Sequence, residues 1–266
     1  MTAMEISRAT VLLTGASGGI GHAIARQLAA HGADLVLTGR RTELLAPLAE
    51  ELGARVVTSD LSARSAVADL VDDVGSVDIL VANAALPASG PLLDYTEEQI
   101  DRALDVNLRA PIMLAHALAP SMVQRGSGHL VFISSLAGKT GQPGSSLYSA
   151  TKFGLRGFAQ GLRGDLAPTG VGVSTVFPGF IRDAGLFHNS GAELPRGVGT
   201  NTPDDVAAAV VRSIRKNRGE ITVAPVAMKV GATLGAVAPE TALRVARLSG
   251  GDRVSADIAG GQEHLR

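Results

Sequence analysis

A tyrosine and a lysine four positions apart are the side chains of this sequence best suited to proton chemistry. Tyr148 and Lys152 stand at the start of a segment with helical periodicity, so this spacing puts both on one helix face. A nearby ammonium favours the ionised form of a phenol, whose unperturbed pKa is about 10, and improves it as a proton carrier near neutral pH. Thirteen positions before Tyr148, an apolar run ends at Ser134 and Ser135. Taken alone, the Tyr-x-x-x-Lys pair also fits an ordinary pair on a helix surface.

A glycine-rich turn near the N-terminus is the second feature with chemical potential. Residues 14–21, Thr-Gly-Ala-Ser-Gly-Gly-Ile-Gly, follow an apolar run and open an alanine-rich helical segment. Glycines let the backbone turn sharply and approach a pyrophosphate, which the free N–H groups and the dipole of a helix N-terminus hold. The turn predicts a nucleotide site, although its spacing is not G-x-G-x-x-G and a plain turn would use glycines too.

The same turn also fits a different enzyme class. Residues 15–19, Gly-Ala-Ser-Gly-Gly, match the G-x-S-x-G nucleophile elbow of α/β-hydrolases, which would make Ser17 a nucleophile. The histidines available downstream are His116, His129, His188 and His264. Nothing around them resembles a triad partner, and the turn follows the first strand, so the nucleotide interpretation is favoured.

Together and in order, these features resemble the short-chain dehydrogenase/reductase family along nearly the whole chain. The matching positions are Thr14-Gly15 with Gly19 and Gly21, then Asp60, Asn83-Ala84, Asn107, Ser135, Tyr148 with Lys152, and Pro178-Gly179. The resemblance implies an NADP-dependent oxidoreductase that transfers a hydride between the cofactor and a carbonyl or alcohol carbon. The non-enzymatic alternative is a nucleotide-binding sensor or scaffold with the same fold.

The resemblance assigns four catalytic roles. Tyr148 would be the acid/base, Ser135 a hydrogen-bond donor to the substrate oxygen, and Lys152 the residue that lowers the tyrosine pKa and holds the nicotinamide ribose. Asn107 would position a water in the proton relay. Two fixed hydroxyl donors make physical sense, because a hydride that arrives at a carbonyl carbon builds negative charge on the oxygen.

The implied cofactor contacts are spread over six segments. They are Thr14, Gly15, Ser17, Gly18, Gly19, Ile20, Gly21, Arg40, Asp60, Leu61, Asn83, Tyr148, Lys152, Pro178, Gly179 and Ile181. Asp60 would face the adenine, or else cap the segment from Ser62 onward; Asn83 could equally be a turn residue. We assign no metal site.

The end of the second apolar run predicts NADP rather than NAD. NAD-dependent relatives place an acid there, whereas this chain has Gly39 followed by Arg40, which can bind a 2′-phosphate. The second basic position of the family, inside the glycine turn, is Gly18 here, so the preference rests on Arg40. The alternative is that Arg40 and Arg41 are solvated loop charges.

Two departures from the family pattern affect the contacts but not the catalytic positions. Residues 82–85 read Ala-Asn-Ala-Ala where the family commonly has Asn-Asn-Ala-Gly. Asp183 stands where the family has a threonine that binds the nicotinamide carboxamide, which puts that contact in doubt.

Composition narrows the protein class. Hydrophobic residues make up 45% and charged residues 18% of 266 positions, a globular balance that favours one domain over residues 1–266. The formal net charge of −1 disfavours nucleic acid as a partner. There are no cysteines, and residues 1–10 lack the apolar stretch of a signal peptide, so we expect a cytoplasmic protein.

The elements that must position these residues alternate between strands and helices. Continuous apolar runs predict a doubly wound, parallel Rossmann sheet of about seven strands, flanked by helices, with its ligand crevice at the C-terminal strand ends. The predicted strands are Thr10–Leu13, Asp34–Thr38, Ala54–Thr58, Ile79–Ala82, His129–Ile133, Gly172–Phe177 and Glu220–Val223.

Two segments, residues 183–200 and the C-terminal extension of residues 224–266, do not fit this pattern of alternating strands and helices. The first is rich in glycine and polar side chains, which predicts a substrate loop or else a plain surface loop. By the family comparison, an apolar substrate would lie among Leu86, Leu136, Phe180, Leu186 and Phe187.

The C-terminal extension, residues 224–266, is too interrupted by charges and proline for a membrane span. It could cover the substrate pocket, pack on a partner subunit or rest on a membrane surface. We expect it to pack against protein. The resemblance also implies a homodimer or homotetramer through the helix with Phe153 and Phe158, unless these rings fill the core of the monomer.

Overall fold

One parallel sheet organises the chain, and the computed structural model describes it over residues 4–194, 198–248 and 251–263. Its seven strands lie in the order β3-β2-β1-β4-β5-β6-β7. They are β1 (Thr10–Thr14), β2 (Asp34–Gly39), β3 (Arg55–Thr58), β4 (Ile79–Ala82), β5 (Gly128–Ile133), β6 (Val171–Pro178) and β7 (Glu220–Val223). The predicted fold class is confirmed. The first and last residues of every strand lie within one position of those predicted.

The apolar strands pack on both faces. In β1, the neighbouring side chains of Leu12 and Leu13 are both fully buried, but they belong to separate hydrophobic clusters on opposite sides of the sheet. Residues that alternate direction along a strand therefore meet protein on either side, which explains the absence of polar alternation in the sequence. The chain reverses its direction of travel between β1 and β4, and this is where a doubly wound sheet opens its ligand crevice.

Helices cover both faces and continue past the last strand. They are α1 (Gly19–Ala30), α2 (Thr42–Leu52), α3 (Ala66–Val74), α4 (Glu97–Leu104), α5 (Ala110–Arg125), α6 (Ser146–Asp165), α7 (Gly185–Ser190), α8 (Pro203–Arg215), α9 (Val226–Val237), α10 (Pro239–Leu248) and α11 (Gly251–Gln262). Helix α8 begins with a capping box: Thr202 Oγ1 accepts from the Asp205 backbone N–H at 3.1 Å, and Asp205 Oδ2 accepts from the Thr202 N–H at 2.9 Å.

The two unassigned segments fold against each other. The predicted substrate loop contains the short helix α7, and the C-terminal extension forms α9, α10 and α11. Gln262 Nε2 on α11 donates to the Leu186 carbonyl on α7 at 3.0 Å. The extension thus packs on its own chain, as expected. Within the described ranges, no helix has both the length and the apolarity that crossing a membrane requires.

The two phenylalanines of α6 differ in their surroundings. Phe158 packs edge-on against Phe132 of β5, with ring centroids 5.6 Å apart, so this ring fills the core of the monomer. Phe153 is 41% exposed.

Candidate active site

A cleft of about 920 Å³ runs along the C-terminal edge of the sheet, from the glycine turn to the C-terminal helices. Every predicted site residue lines it except Thr14 and Asn107, which lie behind its wall. The topology therefore brings together residues that are spread from Gly15 to Ile181 in the sequence.

The glycine turn is tight because other backbone approaches it closely. Gly15 has a φ of +66°, and a Cβ on it would lie 2.7 Å from Ala84 Cα. A Cβ on Gly21 would collide with the Gly15 carbonyl oxygen. Gly18 is open, and it precedes α1 without a side-chain cap, so the first N–H groups of that helix have no cap from their own chain. This is the form of a pyrophosphate cradle.

Thr14 and Asn83 join the glycine turn to β4. Thr14 is buried, and its Oγ1 accepts from the backbone N–H groups of Asn83 and Ala84, both at 3.0 Å. Asn83 Nδ2 donates to the carbonyl oxygens of Thr14 at 3.1 Å and Gly15 at 3.0 Å. The Thr14 side chain thus supports the turn from behind, while Asn83 both supports it and lines the cleft.

Arg40 and Asp60 flank the far end of the cleft beyond the glycine turn. Arg40 is exposed at the end of β2, lines the cleft and forms no ion pair with a described residue. Asp60 Oδ1 accepts from Ser62 N at 3.1 Å and from Ser62 Oγ at 2.8 Å, but no helix begins there, because α3 starts at Ala66 after Ser65; Asp60 therefore closes a turn and caps no helix. Burial acts to raise the pKa of Asp60, but the Ser62 hydrogen bonds and the charges of Arg40 and Arg102 outweigh it and lower that pKa.

Ser135, Tyr148 and Lys152 meet where β5 and α6 face each other. Ser135 begins a short 3-10 turn, with its Oγ accepting from Ala137 N at 3.2 Å, and it lies close enough to the Tyr148 hydroxyl to influence the pKa of that group. Lys152 is only 2% exposed, and its Nζ donates to the Ile133 carbonyl at 3.0 Å. The same Nζ lies 5.6 Å from the centroid of the Tyr148 ring. Backbone and side chains therefore fix the three groups in one place.

Burial sets the pKa values of this trio. Burial raises the pKa of Tyr148 to about 12, with Ser135 acting in the opposite direction. Burial also lowers the pKa of Lys152 to about 8. The sequence predicted a lysine that lowers the tyrosine pKa, whereas in the protein without cofactor burial raises that pKa. At neutral pH Tyr148 is thus a protonated donor beside a largely cationic Lys152.

Asn107 acts on the loop that follows β4. It lies on a single π-helical turn, Asp105–Arg109, between α4 and α5. Its buried side chain holds Leu86 at both backbone atoms: Oδ1 accepts from Leu86 N at 2.7 Å and Nδ2 donates to Leu86 O at 3.0 Å. Such turns occur often at functional sites because they interrupt the regular helical hydrogen bonds. No spacing in the sequence announces this turn.

The substrate end of the cleft is apolar. Phe180 and Phe187 pack with ring centroids 4.8 Å apart, and Leu136 forms a cluster with Ala224, Met228 and Ala232. The C-terminal helices supply a wall of the cleft, in line with one of the roles that the sequence left open for them. Their cleft-lining residues include Met228, Gly231, Ala232, Leu243, Val254, Ile258 and Gln262.

Asp183 replaces the usual threonine and lines the cleft. Its φ is +69°, its side chain is 70% exposed, and its Oδ2 lies 3.5 Å from Arg182 Nε. An exposed carboxylate with a neighbouring guanidinium differs chemically from the hydroxyl of a threonine.

Ser17 lines the cleft, but no histidine among the described residues hydrogen-bonds it. His129 is buried on β5, and its Nε2 lies 2.8 Å from Ser174 Oγ on β6, whereas Ser17 follows β1. His264 lies outside the described residues. The serine-nucleophile alternative therefore lacks a visible base.

Comparison with known proteins agrees with this geometry. Residues 9–194 match the family model described as short chain dehydrogenase. A ketoacyl reductase, HetN, from Nostoc sp. is 38% identical over 225 residues, which cover 80% of this chain and 78% of that protein. Among solved structures, a short-chain dehydrogenase from Sphingobium yanoikuyae in complex with NADPH is 32% identical, has a TM-score of 0.74, and the match covers 88% of this chain and 95% of the other.

A second solved structure, of a putative beta-ketoacyl-ACP reductase, is 33% identical with a TM-score of 0.76 and covers 83% of this chain and 98% of its own. The family model alone spans more than half of the 266 residues. The fold, the cleft and these similarities lead to one conclusion: the chain belongs to the short-chain dehydrogenase/reductase family.

Proposed function

We propose that this protein is an NADPH-dependent oxidoreductase that interconverts a carbonyl and an alcohol on an apolar substrate. The observation that carries the proposal is the pair of neighbouring hydroxyls of Ser135 and Tyr148, with Lys152 Nζ 5.6 Å from the Tyr148 ring centroid, in an apolar cleft. A sensor or scaffold would need neither hydroxyl.

The cleft fits a dinucleotide on its own geometry. The close approach of backbone at Gly15 and Gly21 leaves no room for side chains, and the uncapped start of α1 offers N–H groups to a pyrophosphate. Arg40, exposed and without an ion pair among the described residues, is suited to a 2′-phosphate. Solved relatives contain NADPH or NADP, which supports the same choice.

When bound, the cofactor supplies the hydride. In the reductive direction, negative charge develops on the carbonyl oxygen as its carbon is reduced. Tyr148 donates its hydroxyl proton to this oxygen, and Ser135 donates a second hydrogen bond to it. Tyr148 then remains as a phenolate. The positive charge of Lys152, whose Nζ donates a hydrogen bond to the Ile133 carbonyl, stabilises this phenolate. The oxidative direction reverses these proton movements.

Asn107 and Asp183 have supporting roles in this proposal. Asn107 fixes Leu86, which lines the cleft, and one of its two Nδ2 protons remains for a water in a proton relay. Asp183, exposed and next to Arg182, leaves the carboxamide to backbone groups of the preceding segment.

The test is a screen of ketones with NADPH and of secondary alcohols with NADP, followed by absorbance of the reduced nicotinamide. We expect turnover on apolar members of the panel in at least one direction. If calorimetry shows NADPH binding while no carbonyl or alcohol in a broad panel is converted, the sensor alternative replaces the enzyme.

A further inference from the structure

We propose that Gly231 determines substrate specificity by leaving a space for a hydrocarbon chain, so that the substrate is an apolar carbonyl compound with an extended, unbranched tail. This inference rests on the proposed function and names the substrate class of the same cleft. It concerns a helix that lies outside the family-matched residues 9–194.

Two of the four cleft-lining residues of α9, Gly231 and Ala232, are small; the others are Met228 and Leu234. Met228, Gly231 and Ala232 recur at the three- and four-residue spacing of one helix face. Met228 and Ala232 contact the cluster around Leu136, the residue that follows Ser135. This face of α9 is therefore next to the reacting groups.

The two glycines on this face differ in a way that separates packing from space. A Cβ on Gly235 would collide with Thr140 Oγ1, so the approach of α9 to Thr140 requires a glycine there. A Cβ on Gly231 would meet no atom within 4 Å. Gly231 also has no positive φ that would require a glycine. Glycine inside a helix lowers stability relative to alanine, so neither packing nor helix stability accounts for it.

Apolar side chains on other helices line the same cleft as Gly231, which is itself exposed. Leu243 of α10 and Ile258 of α11 are among them. Helix α11 also contacts two other segments around the cleft: Gln262 bonds Leu186 of α7, and Ser255 Cβ lies 3.7 Å from where a Cβ of Gly144, before Tyr148, would stand. A substrate tail along this wall meets mainly apolar side chains, which favours hydrocarbon.

The test uses methyl ketones from butan-2-one to decan-2-one with NADPH, on the parent and on Gly231→Ala and Gly231→Leu. In the parent, we expect kcat/KM to rise roughly fourfold per methylene group until the space is filled. Gly231→Leu should end this rise at a shorter chain, losing about tenfold or more on the longest ketones and under about threefold on butan-2-one; Gly231→Ala should lie between. Ala236→Leu, exposed on the same helix and away from the cleft, is the matched control and should follow the parent.

A binding measurement keeps this inference separate from the proposed function. Dissociation constants of the corresponding secondary alcohols are measured by calorimetry on NADPH-loaded Tyr148→Phe, with and without Gly231→Leu. Tail-length-dependent binding that Gly231→Leu shortens supports the inference even if the parent reduces no ketone. Overlapping length profiles for Gly231→Leu and the parent, or no length dependence in the parent, overturn it even if ketones are reduced.

Discussion

The floor of the cleft and its roof are built on different physical principles. In the floor, formed by β5 and α6, hydrogen bonds to backbone atoms hold Ser135 and Lys152 beside Tyr148. In the roof, formed by α9, α10 and α11, the cleft contacts are mainly apolar, and a hydrogen bond from Gln262 Nε2 to the Leu186 carbonyl joins the roof to α7. Polar contacts thus hold the floor, and apolar packing forms the roof.

The difference teaches that reaction chemistry and substrate choice have separate structural supports. A proton donor requires fixed distances, which the strand end and the helix spacing provide. An apolar wall requires only volume and shape, which many sequences can supply. Substitutions in the floor should therefore change turnover, whereas those in the roof should change KM.

The largest effect should come from the floor. Tyr148→Phe removes the transferable proton but keeps the ring, so kcat should fall by roughly 10²- to 10⁴-fold. The melting temperature and the NADPH dissociation constant should remain those of the parent. Turnover within a few-fold of the parent would exclude Tyr148 as the acid.

Ser17→Ala is the matched control for the same experiment, because Ser17 lines the cleft without a histidine partner in the described part of the chain. It should retain the reductase activity. Loss of an esterase activity in Ser17→Ala, with the same activity retained in Tyr148→Phe, would instead assign the protein to the hydrolase class.

The next effect concerns the opposite end of the cleft, where Arg40 follows β2 and forms no ion pair with a described residue. Arg40→Ala removes a charge-assisted hydrogen bond worth roughly 1.5–3 kcal/mol, so NADPH affinity should fall about ten- to a hundred-fold while NADH affinity changes little. Arg41→Ala, the neighbouring exposed arginine that also lines the cleft, is the comparison. Equal parental affinities for NADH and NADPH would show that β2 does not select the phosphate.

The buried lysine predicts how stability depends on pH. The pKa of Lys152 is about 8 in the fold against 10.5 as its ordinary value, so between these pH values the unfolded chain binds more protons and the free energy of unfolding rises with pH. From pH 7.5 to 9.5 the gain should be about 2 kcal/mol, and Lys152→Met should lack it. Tyr148, with a pKa of about 12 against 10.0, acts in the reverse direction only above pH 10. Urea unfolding at both pH values tests this. An equal change in the free energy of unfolding with pH in the parent and in Lys152→Met would contradict a buried ammonium.

Sequence reasoning succeeded where local pattern and topology agree. Continuous apolar runs located all seven strands, and the carboxyl ends of parallel strands share one edge, which placed Gly15, Arg40, Asn83 and Ser135 along one cleft. It failed where tertiary packing decides. The direction of the Tyr148 pKa depends on burial, which spacing does not reveal.

The roof could not be predicted for a related reason. Its helix α9 has no Asp or Glu in its first turn, and glycines interrupt it at Gly231 and Gly235, so neither caps nor apolar periodicity stood out. The contacts of the roof depend on the position of α7, through the bond from Gln262 of α11 to Leu186. Helix α7 itself falls in a segment rich in glycine and polar residues. The π-helical turn that carries Asn107 likewise has no sequence signal.

The smallest effect should come from the junction of roof and substrate segment. Gly261 lies where α11 crosses α7, and a Cβ on it would collide with the Ser190 carbonyl oxygen, whereas a Cβ on Gly260 would meet nothing within 4 Å. Gly261→Ala must therefore displace α11 from α7, while Gly260→Ala adds the same methyl group without a clash. Because alanine is favoured over glycine in a helix, Gly260→Ala should be neutral or slightly stabilising.

We expect Gly261→Ala to raise KM for an apolar ketone about fivefold, the effect of losing roughly 1 kcal/mol of substrate binding as the roof shifts. Its kcat and NADPH dissociation constant should stay near those of the parent, because the floor is untouched. The measurement is steady-state kinetics on both alanine variants at saturating NADPH, together with their melting temperatures. A fall in kcat with unchanged KM would mean that the roof also positions the reacting groups, and identical kinetics in both variants would mean that the α7–α11 contact does not shape the substrate site at all.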